Sequence, residues 1–303
     1  MLKYTDLQMI SLSAINSSAI RFYAAHPLFS WSDKLKFKFR TYFNPAISAQ
    51  WFAMWTPFEA YEPNYLGYKL EQVHRPHYDR RFNKAQIADF LVQHETSFRG
   101  LFPPAVVQHI HQGQEWRLAE FEDKAGHTAF LNIGYSPQFN KEGSLLLSLH
   151  VQGVRVVSLV FSVHNSGSAG ACIYIGCLQS LNVNTREVLK QATKALHGIQ
   201  PRILLLEVVQ LMAEIFHIER IEGIGQDNHP YANTKKEKDI RINLNEIWAL
   251  VGGQLNAKGN IDIPARLVIK PLEEYKSNKR SEYKQRHLLI ETIKSDLLKH
   301  LTI

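Results

Sequence analysis

Two histidines near the ends of apolar runs are the residues of this chain best suited to proton transfer. His150 lies near the end of SLLLSLHVQ, and His229 follows the short run RIEGIG. An imidazole near its ordinary pKa is largely neutral at physiological pH, so it can accept a proton from an amine or a hydroxyl group. We therefore predict His150 and His229 as candidate catalytic bases; the alternative for His150 is that it caps a strand.

A second group of residues could hold an anion. The run ACIYIGCLQ leads into a polar segment and then a predicted helix, and free N–H groups at a helix N-terminus bind phosphate groups. Gln179 and Asn182 lie in this segment, which contains no glycine, and the cationic Lys194 and Arg202 follow it. We predict that these four residues contact a phosphate-bearing cofactor; the alternative for Lys194 is a side chain that only faces solvent.

Metal chemistry has little support in the sequence. His109 and His111 are two residues apart, which directs them to different sides of a helix. His74 and His77 lie among arginines, whose positive charges oppose a cation. HExxH, paired CxxC and EF-hand patterns do not occur. We predict structural or surface histidines and no metal.

Covalent catalysis and nucleotide hydrolysis are also poorly supported. The sequence has no GxSxG, Walker A or GxGxxG motif, and the glycines at 167 and 170 are typical of a turn. Cys177 lies inside a strand-like run, where a cysteine is more often buried packing than a nucleophile.

Composition and charge exclude a disordered or collagen-like chain. The 303 residues are 45% hydrophobic with a net charge of +7, which fits one large domain or two modest ones. Residues 276–301 carry seven basic and three acidic side chains, more than half of the surplus. This localised charge favours an anionic cofactor or an anionic lipid surface. No specific nucleic acid is expected, because no recognised reader motif is present.

The N-terminal segments are rich in aromatic residues. At 34–40, KLKFKFR alternates basic and apolar residues, which favours a strand, whereas its neighbours favour a helix along an anionic surface. Residues 45–78 are predicted to be packed but irregular, since prolines interrupt the aromatic residues. An amphipathic helix is predicted at 83–98, and Pro103 and Pro104 begin a short one.

From residue 115 the apolar period changes to two. EWRLAEFE, HTAFLNIGY, SLLLSLHVQ, VRVVSLVFSV and ACIYIGCLQ predict five strands of an antiparallel meander, with a tight turn at 151–154. Two helices follow, one capped by Thr185 and ended by Gly198, the other opened by Pro201. We then predict a strand at RIEGIG, a loop at 226–243, a short helix at 244–250 and a terminal helix at 276–301.

This order of elements predicts an α+β fold, mainly an antiparallel sheet with flanking helices. We divide the chain into a helical, aromatic-rich N-terminal region at 1–112 and an α+β domain at 113–303 with a basic C-terminal helix.

The spacing of the cysteines and the hydropathy of the sequence indicate the cellular compartment of the protein. Cys172 and Cys177 are an odd number of residues apart, so we expect them on opposite faces of a strand and not in a disulfide. The sequence has no apolar run of bilayer length, and Asp6 stands where a signal peptide has its apolar centre. We expect a cytoplasmic protein that is not transmembrane, with peripheral attachment to the inner membrane left open.

Several short blocks of this sequence resemble the VirK/YbjX family of Gram-negative bacteria. The blocks are HRPHY (74–78), IGCLQS (175–180), TKALHGIQPR (193–202), IEGIGQDNHPY (221–231), EIWALVGG (246–253) and SNKRSEYKQRH (277–287). The chain departs from the usual family pattern at Ser180, where members carry glycine, and at Gln200, where they carry a basic residue.

The resemblance implies a role in envelope stress, resistance to cationic antimicrobial peptides and virulence. The blocks supply further site candidates: His197 beside a cofactor, and Asn228, Tyr231, Arg280 and Tyr283 toward a substrate.

The element order is similar to that of GNAT-type acyltransferases, in which a central strand leads to a helix N-terminus that holds a pyrophosphate. This similarity implies an acyl-CoA or acyl-carrier-protein donor, although two helices are predicted where the simple pattern has one. We therefore expect a GNAT-like acyltransferase that modifies the envelope or confers antimicrobial-peptide resistance. The alternative is a non-enzymatic peripheral-membrane or protein-interaction factor in envelope stress and virulence.

Overall fold

A mixed β-sheet forms the centre of the fold. The computed structural model of the protein describes residues 12–165, 170–180, 185–235 and 243–302. The strands are β1 (Trp116–Glu122), β2 (Thr128–Gly134), β3 (Leu145–Val151), β4 (Val154–Asn165), β5 (Ala171–Gln179), β6 (Arg220–Gly223), β7 (Gln254–Leu255) and β8 (Ile261–Ile263). Within the described ranges they form one eight-stranded sheet in the order β1-β2-β3-β4-β5-β6-β8-β7.

Helices precede, interrupt and follow this sheet. They are α1 (Leu12–Ala25), α2 (Trp31–Phe43), α3 (Pro45–Ala53), α4 (Pro63–Gln72), α5 (Lys84–Leu101), α6 (Pro104–His111), α7 (Thr185–Ala195), α8 (Pro201–Ile215), α9 (Leu244–Ala249) and α10 (Arg280–Leu301). The fold class is therefore α+β with a mostly antiparallel sheet, as predicted.

The N-terminal region is more regular than its sequence suggested. KLKFKFR lies in α2, so the helical alternative is correct there. The prediction of an irregular segment at 45–78 is wrong, because it contains α3 and α4. Pro45 and Pro63 occupy the first turns of these helices, where a proline costs no hydrogen bond. The helix predicted at 83–98 is α5, and its Asn83 cap forms a reciprocal capping box with Gln86.

The five-strand meander is confirmed. Antiparallel pairing joins β1 to β5 in sequence order. Gln152 and Gly153 both have positive φ, which is the geometry of a two-residue hairpin turn that follows the strand twist. The turn predicted at 167–170 lies largely outside the described residues.

The elements after the meander follow the predicted order with two omissions. Two helices precede the predicted strand β6, and Gly198 with φ +82° follows α7. The predicted cap at Thr185 lies at the edge of the described residues. The sequence reading missed β7 and β8, because strands of two and three residues are too short to show a period of two.

The two cysteines lie on the same face of the sheet, so the expectation of opposite faces is wrong. Cys172 pairs with His164 and Cys177 with Val160, two positions of β4 that are an even number of residues apart. Gly176 is an extra, bulged residue in β5, and it reverses the alternation. Both thiols are free and buried, so the expected absence of a disulfide is confirmed.

One hydrophobic core joins the helices to the sheet. It extends from Ala19 in α1 to Leu301 in α10 through the inner residues of the strands. The predicted boundary at 112/113 falls between α6 and β1, and the division into two regions stays a prediction. No helix in the described ranges is both long and apolar enough to cross a membrane.

Candidate functional site

The β5–β6 junction, defined as residues 175–177 and 222–225, is where the only parallel pair among the described strands separates. Ile175 pairs with Gly223, and the N–H of Ile224 donates to the carbonyl of Ile175 at 2.8 Å. Beyond this point β5 continues to Gln179 beside β4 alone. The segment that follows β6 turns away at Gly225 into a short 3-10 turn.

A glycine lets another segment approach the junction. Gly176 is the bulged residue of β5, and a Cβ at this position would overlap the carbonyl of Glu142. The loop between β2 and β3 therefore lies directly against β5 here. Its Glu142 side chain and the side chain of His229 are both buried beside Cys177. The three side chains are therefore packed together at the junction.

Glu142, Cys177 and His229 are the one described group with metal-ligand geometry, since their ligand atoms lie within 4.8 Å of one another. The backbone N–H of Tyr231 donates to Nδ1 of His229 at 3.2 Å. The proton of the neutral imidazole therefore sits on Nε2, 3.7 Å from a Glu142 oxygen. A metal would need that nitrogen's lone pair. The geometry thus favours a hydrogen-bonded core over a metal site.

Burial controls the protonation of this group. It lowers the pKa of His229 to about 4 and, together with Glu142, raises the pKa of the Cys177 thiol. His229 is therefore neutral at pH 7, and Cys177 is a protonated thiol rather than a nucleophile. This agrees with the prediction that the Cys177 side chain is buried and packs in the interior.

A buried carboxylate ties distant blocks of the sequence to the junction. Glu222 accepts hydrogen bonds from the Tyr78 hydroxyl at 3.0 Å and from Nδ2 of Asn260 at 2.8 Å. Asn228 donates from Nδ2 to Asn260 Oδ1 at 2.9 Å. The backbone of Tyr78 is left-handed, with φ 56°. The HRPHY and IEGIGQDNHPY blocks therefore meet in one polar network.

A cationic pocket lies between α7 and α8. It encloses about 600 Å³ and is lined by Arg186, Leu189, Lys190, Thr193, Lys194, Gln200, Pro201 and Arg202. Four of the lining side chains are basic and none is acidic. Nε of Arg202 is buried without a hydrogen-bond partner in the described chain, and burial lowers the pKa of that guanidinium. Such a pocket is suited to an anion.

The lining of the pocket contains two residues that the sequence predicted to hold an anion and two basic residues that it did not predict. Lys194 and Arg202 both line it, as the anion-holding prediction requires. Arg186 and Lys190 were not singled out, although spacings of four residues from Arg186 to Lys190 to Lys194 place all three on one face of α7. That spacing was the available signal.

A row of polar residues crosses the sheet from the end of β5 to His150. Gln179 pairs with Ser158, which pairs with Ser148 on β3. Nε2 of His150 lies 3.2 Å from the Ser148 hydroxyl, and its ring stacks on Phe130. His150 is half-buried, and burial lowers its pKa, so the neutral base form prevails at pH 7.

The other predicted residues lie elsewhere or have structural contacts. Asn182 lies outside the described residues. His197 is in the turn between α7 and α8, and its carbonyl accepts from Nε of Arg286 at 2.8 Å. Asn228 and Tyr231 flank His229. Arg280 donates to the carbonyls of two preceding residues.

Tyr283 stacks on Tyr275 with ring centroids 3.5 Å apart, and the Arg286 guanidinium lies over its ring. The structure therefore places the α10 candidates in a separate surface cluster and not at the junction.

The fold and site define an α+β protein with a mixed sheet, a polar strand junction and a cationic pocket. The chain belongs to the family described as "Protein of unknown function (DUF535)", which matches residues 28–299. The resemblance to the VirK/YbjX family is thereby confirmed.

Three curated relatives illustrate the similarity. The chain is 25% identical over 277 residues to a protein of Escherichia coli (strain K12) named "Uncharacterized protein YbjX", covering 88% of this chain and 82% of the relative. Two Haemophilus influenzae proteins, each named "Uncharacterized protein", are 30% identical over 114 residues and 24% identical over 165 residues. The first match covers 38% of each chain, and the second covers 52% of this chain and 56% of the relative. No solved structure matches.

Proposed function

We propose that the protein is a GNAT-like acyltransferase whose donor is an acyl-CoA or an acyl-carrier protein. The observation that carries the proposal is the β5–β6 junction: a bulged central strand parts from a parallel neighbour and leads toward a helix with a cationic face. In GNAT-type enzymes, parting strands admit the pantetheine arm and the following helix binds the pyrophosphate.

The pocket supplies the charge that such a donor requires. Arg186, Lys190, Lys194 and Arg202 offer charge-assisted hydrogen bonds to phosphate oxygens, and no carboxylate of the lining opposes them. In this proposal the donor phosphates occupy the pocket, the pantetheine arm passes the junction, and the acyl thioester lies over the polar row beside His150. Glu142 and His229 must shift to admit the pantetheine arm, because both are buried at the junction.

The polar row offers a base for the transfer. The nitrogen or oxygen of an acceptor attacks the thioester carbonyl, the new C–N or C–O bond forms, and the C–S bond breaks. His150 takes the proton that the acceptor loses, and the departing thiolate is protonated to a thiol. His150 suits this role because it is half-exposed and neutral at pH 7.

His229, the second predicted base, has a different part in this proposal. It is 1% exposed and its Nδ1 accepts from Tyr231, so it positions the junction instead of contacting the acceptor. An acyl group transferred to a lipid or peptide would alter the cell surface, which agrees with the envelope role that the family resemblance implies.

Calorimetric titration of the full chain with acetyl-CoA, a long-chain acyl-CoA and an acyl-carrier protein tests the proposal. We expect binding of at least one donor and at least a hundredfold weaker binding by Lys194→Ala/Arg202→Ala, since two charged hydrogen bonds of about 1.5–3 kcal/mol each are lost.

Lys284→Ala is the matched control, because it removes an exposed lysine of α10 away from the pocket. It should bind the donor like the parent protein. The absence of heat with every donor, or equal weakening by the control, would contradict the proposal and favour the non-enzymatic alternative.

A further inference from the structure

The α2 surface consists of the exposed apolar side chains of Leu28, Trp31, Leu35, Phe39, Tyr42 and Phe43. Of the fourteen large hydrophobic side chains that are exposed in the described chain, these six lie within sixteen consecutive residues. Trp31 and Tyr42 are each 77% exposed, and Phe43 is 74% exposed. Isolated exposed apolar residues are ordinary, but a contiguous aromatic patch indicates an interaction site.

Helix geometry places the five members of this surface that belong to α2 on one side of the helix. Intervals of three and four residues connect Trp31, Leu35, Phe39 and Tyr42, and such residues share a helix face. Phe37 is buried against the core. The helix therefore has two apolar faces, of which only one is buried in the fold.

Lysines border the exposed face. At 100° per residue, Lys38 falls on one edge of the apolar stripe and Lys36 on the other. Lys34 lies beyond Lys38, whereas Arg40 is engaged by Glu71 at 3.6 Å. The one acid of the helix, Asp33, accepts a hydrogen bond from the Ser30 hydroxyl at the N-terminus, and its backbone N–H donates to the same hydroxyl oxygen.

This combination fits the interface of an anionic bilayer. Trp and Tyr rings prefer the headgroup level, Phe and Leu enter the acyl boundary, and lysines reach outward to anionic headgroups. A second copy of the chain fits less well, because a symmetric contact would bring the lysine borders of both copies together. Charge complementarity thus selects the lipid surface.

We propose that the α2 surface binds an anionic phospholipid bilayer, with the α2 axis parallel to the membrane plane. The apolar stripe enters the interface, and Lys34, Lys36 and Lys38 contact the headgroups. This proposal does not depend on the proposed transferase activity, because α2 contributes nothing to the junction or the pocket.

Cosedimentation of the full chain with vesicles tests this surface. We expect binding to phosphatidylcholine vesicles that contain about 30 mol % phosphatidylglycerol, and weaker binding as salt rises. Lys36→Gln/Lys38→Gln should weaken binding about thirtyfold, because each lysine near an anionic surface contributes about 1 kcal/mol. Trp31→Ala/Phe39→Ala should abolish it.

Fluorescence gives a second readout. Trp31 is exposed, whereas Trp51, Trp55 and Trp248 are fully buried. Vesicle binding should therefore blue-shift the emission of the parent protein, and Trp31→Phe should lose most of that shift.

The basic helix α10 provides the matched controls. Lys284→Gln removes an exposed lysine and Leu288→Ala an exposed apolar side chain, and both should bind vesicles like the parent protein. Retention of the parent in the supernatant with anionic vesicles at low salt would overturn the proposal. So would a dimer in light scattering that Phe39→Ala abolishes while vesicles have no effect.

Discussion

Gly176 has no side chain at the point where the carbonyl of Glu142 lies against β5. Any Cβ would force the loop between β2 and β3 away from the strand, or would move the strand itself. The same residue creates the bulge that turns Cys177 toward His229. A single glycine therefore determines both the shape of the β5–β6 junction and which side chains fill it.

Gly176→Ala should destabilise the protein by about 3 kcal/mol, since neither backbone segment can yield without breaking buried contacts. Urea unfolding followed by circular dichroism measures the change. Gly100→Ala in α5 is the control, because a Cβ there would meet nothing within 4 Å. It should stabilise the protein by about 0.5–1 kcal/mol through helix propensity. Equal stability of both variants would contradict this reading of the junction.

The sequence located the anion-holding residues better than it located the junction. Lys194 and Arg202 are cations within one short helical hairpin, so local spacing sufficed to suggest them. Tyr78 and Glu222 are far apart in sequence, and their hydrogen bond depends on tertiary packing. The buried acid in the apolar run RIEGIG was a signal for Glu222, but nothing in the sequence indicated its partner.

At the scale of elements, side chains of α5 accept hydrogen bonds from the end of β4, where a neighbouring strand would otherwise do so. Pairing of β3 with β4 ends at Phe161, whereas β4 continues to Asn165. Two α5 side chains then supply the acceptors: Nδ1 of His94 for the N–H of Val163 at 3.1 Å, and the Ser97 hydroxyl for the N–H of Asn165 at 2.6 Å. The helix thereby joins the N-terminal region to the sheet.

His94→Leu should lower the free energy of unfolding by about 1–3 kcal/mol, because it leaves the buried N–H of Val163 without an acceptor. Chemical denaturation gives the value. Asp89→Ala, at an exposed position of the same helix, should change stability by no more than about 0.5 kcal/mol. If Asp89→Ala lowered the free energy of unfolding as much as His94→Leu does, the effect would come from substitution in α5 itself and not from the lost contact with β4.

Elements were predictable where one local pattern dominated. The meander strands alternate cleanly, and α5 has an amphipathic period with an Asn83 cap. KLKFKFR was ambiguous because both faces of α2 are apolar, one toward the core and one toward solvent. The prolines at 45 and 63 suggested irregularity, yet each begins a helix, a position that proline favours. Strands of two or three residues carry too little pattern to be recognised.

At the scale of the whole molecule, clusters of lysine and arginine lie at the surface, whereas several histidines lie in the interior. The cationic pocket, the α2 surface and α10 put positive charge at the surface, in agreement with the net charge of +7. Five histidines are instead buried within the protein and held neutral. Burial lowers the pKa of His74 and His77 to about 3, that of His164 and His229 to about 4, and that of His94 well below its ordinary value.

These five histidines should make folding strongly dependent on pH. Their pKa in the unfolded chain is about 6.5, so between roughly pH 6.5 and 4 the unfolded state binds protons that the folded state excludes. Their contribution is complete above pH 6.5 and is lost as the pH falls, by about 1.4 kcal/mol per pH unit for each histidine. Glu207 acts in the opposite sense, because burial raises its pKa to about 7. The net loss is roughly 5–6 kcal/mol per pH unit.

Urea unfolding at about pH 7.5, 6.5 and 5.5 measures this dependence, and the unfolding midpoint should fall steeply across the two lower values. His164→Gln should reduce the slope by about 1.4 kcal/mol per pH unit, since it removes one buried imidazole. His127→Gln is the control, because it removes an imidazole that is 60% exposed. A midpoint that stays constant down to about pH 5.5 would mean that the buried histidines accept protons in the folded state.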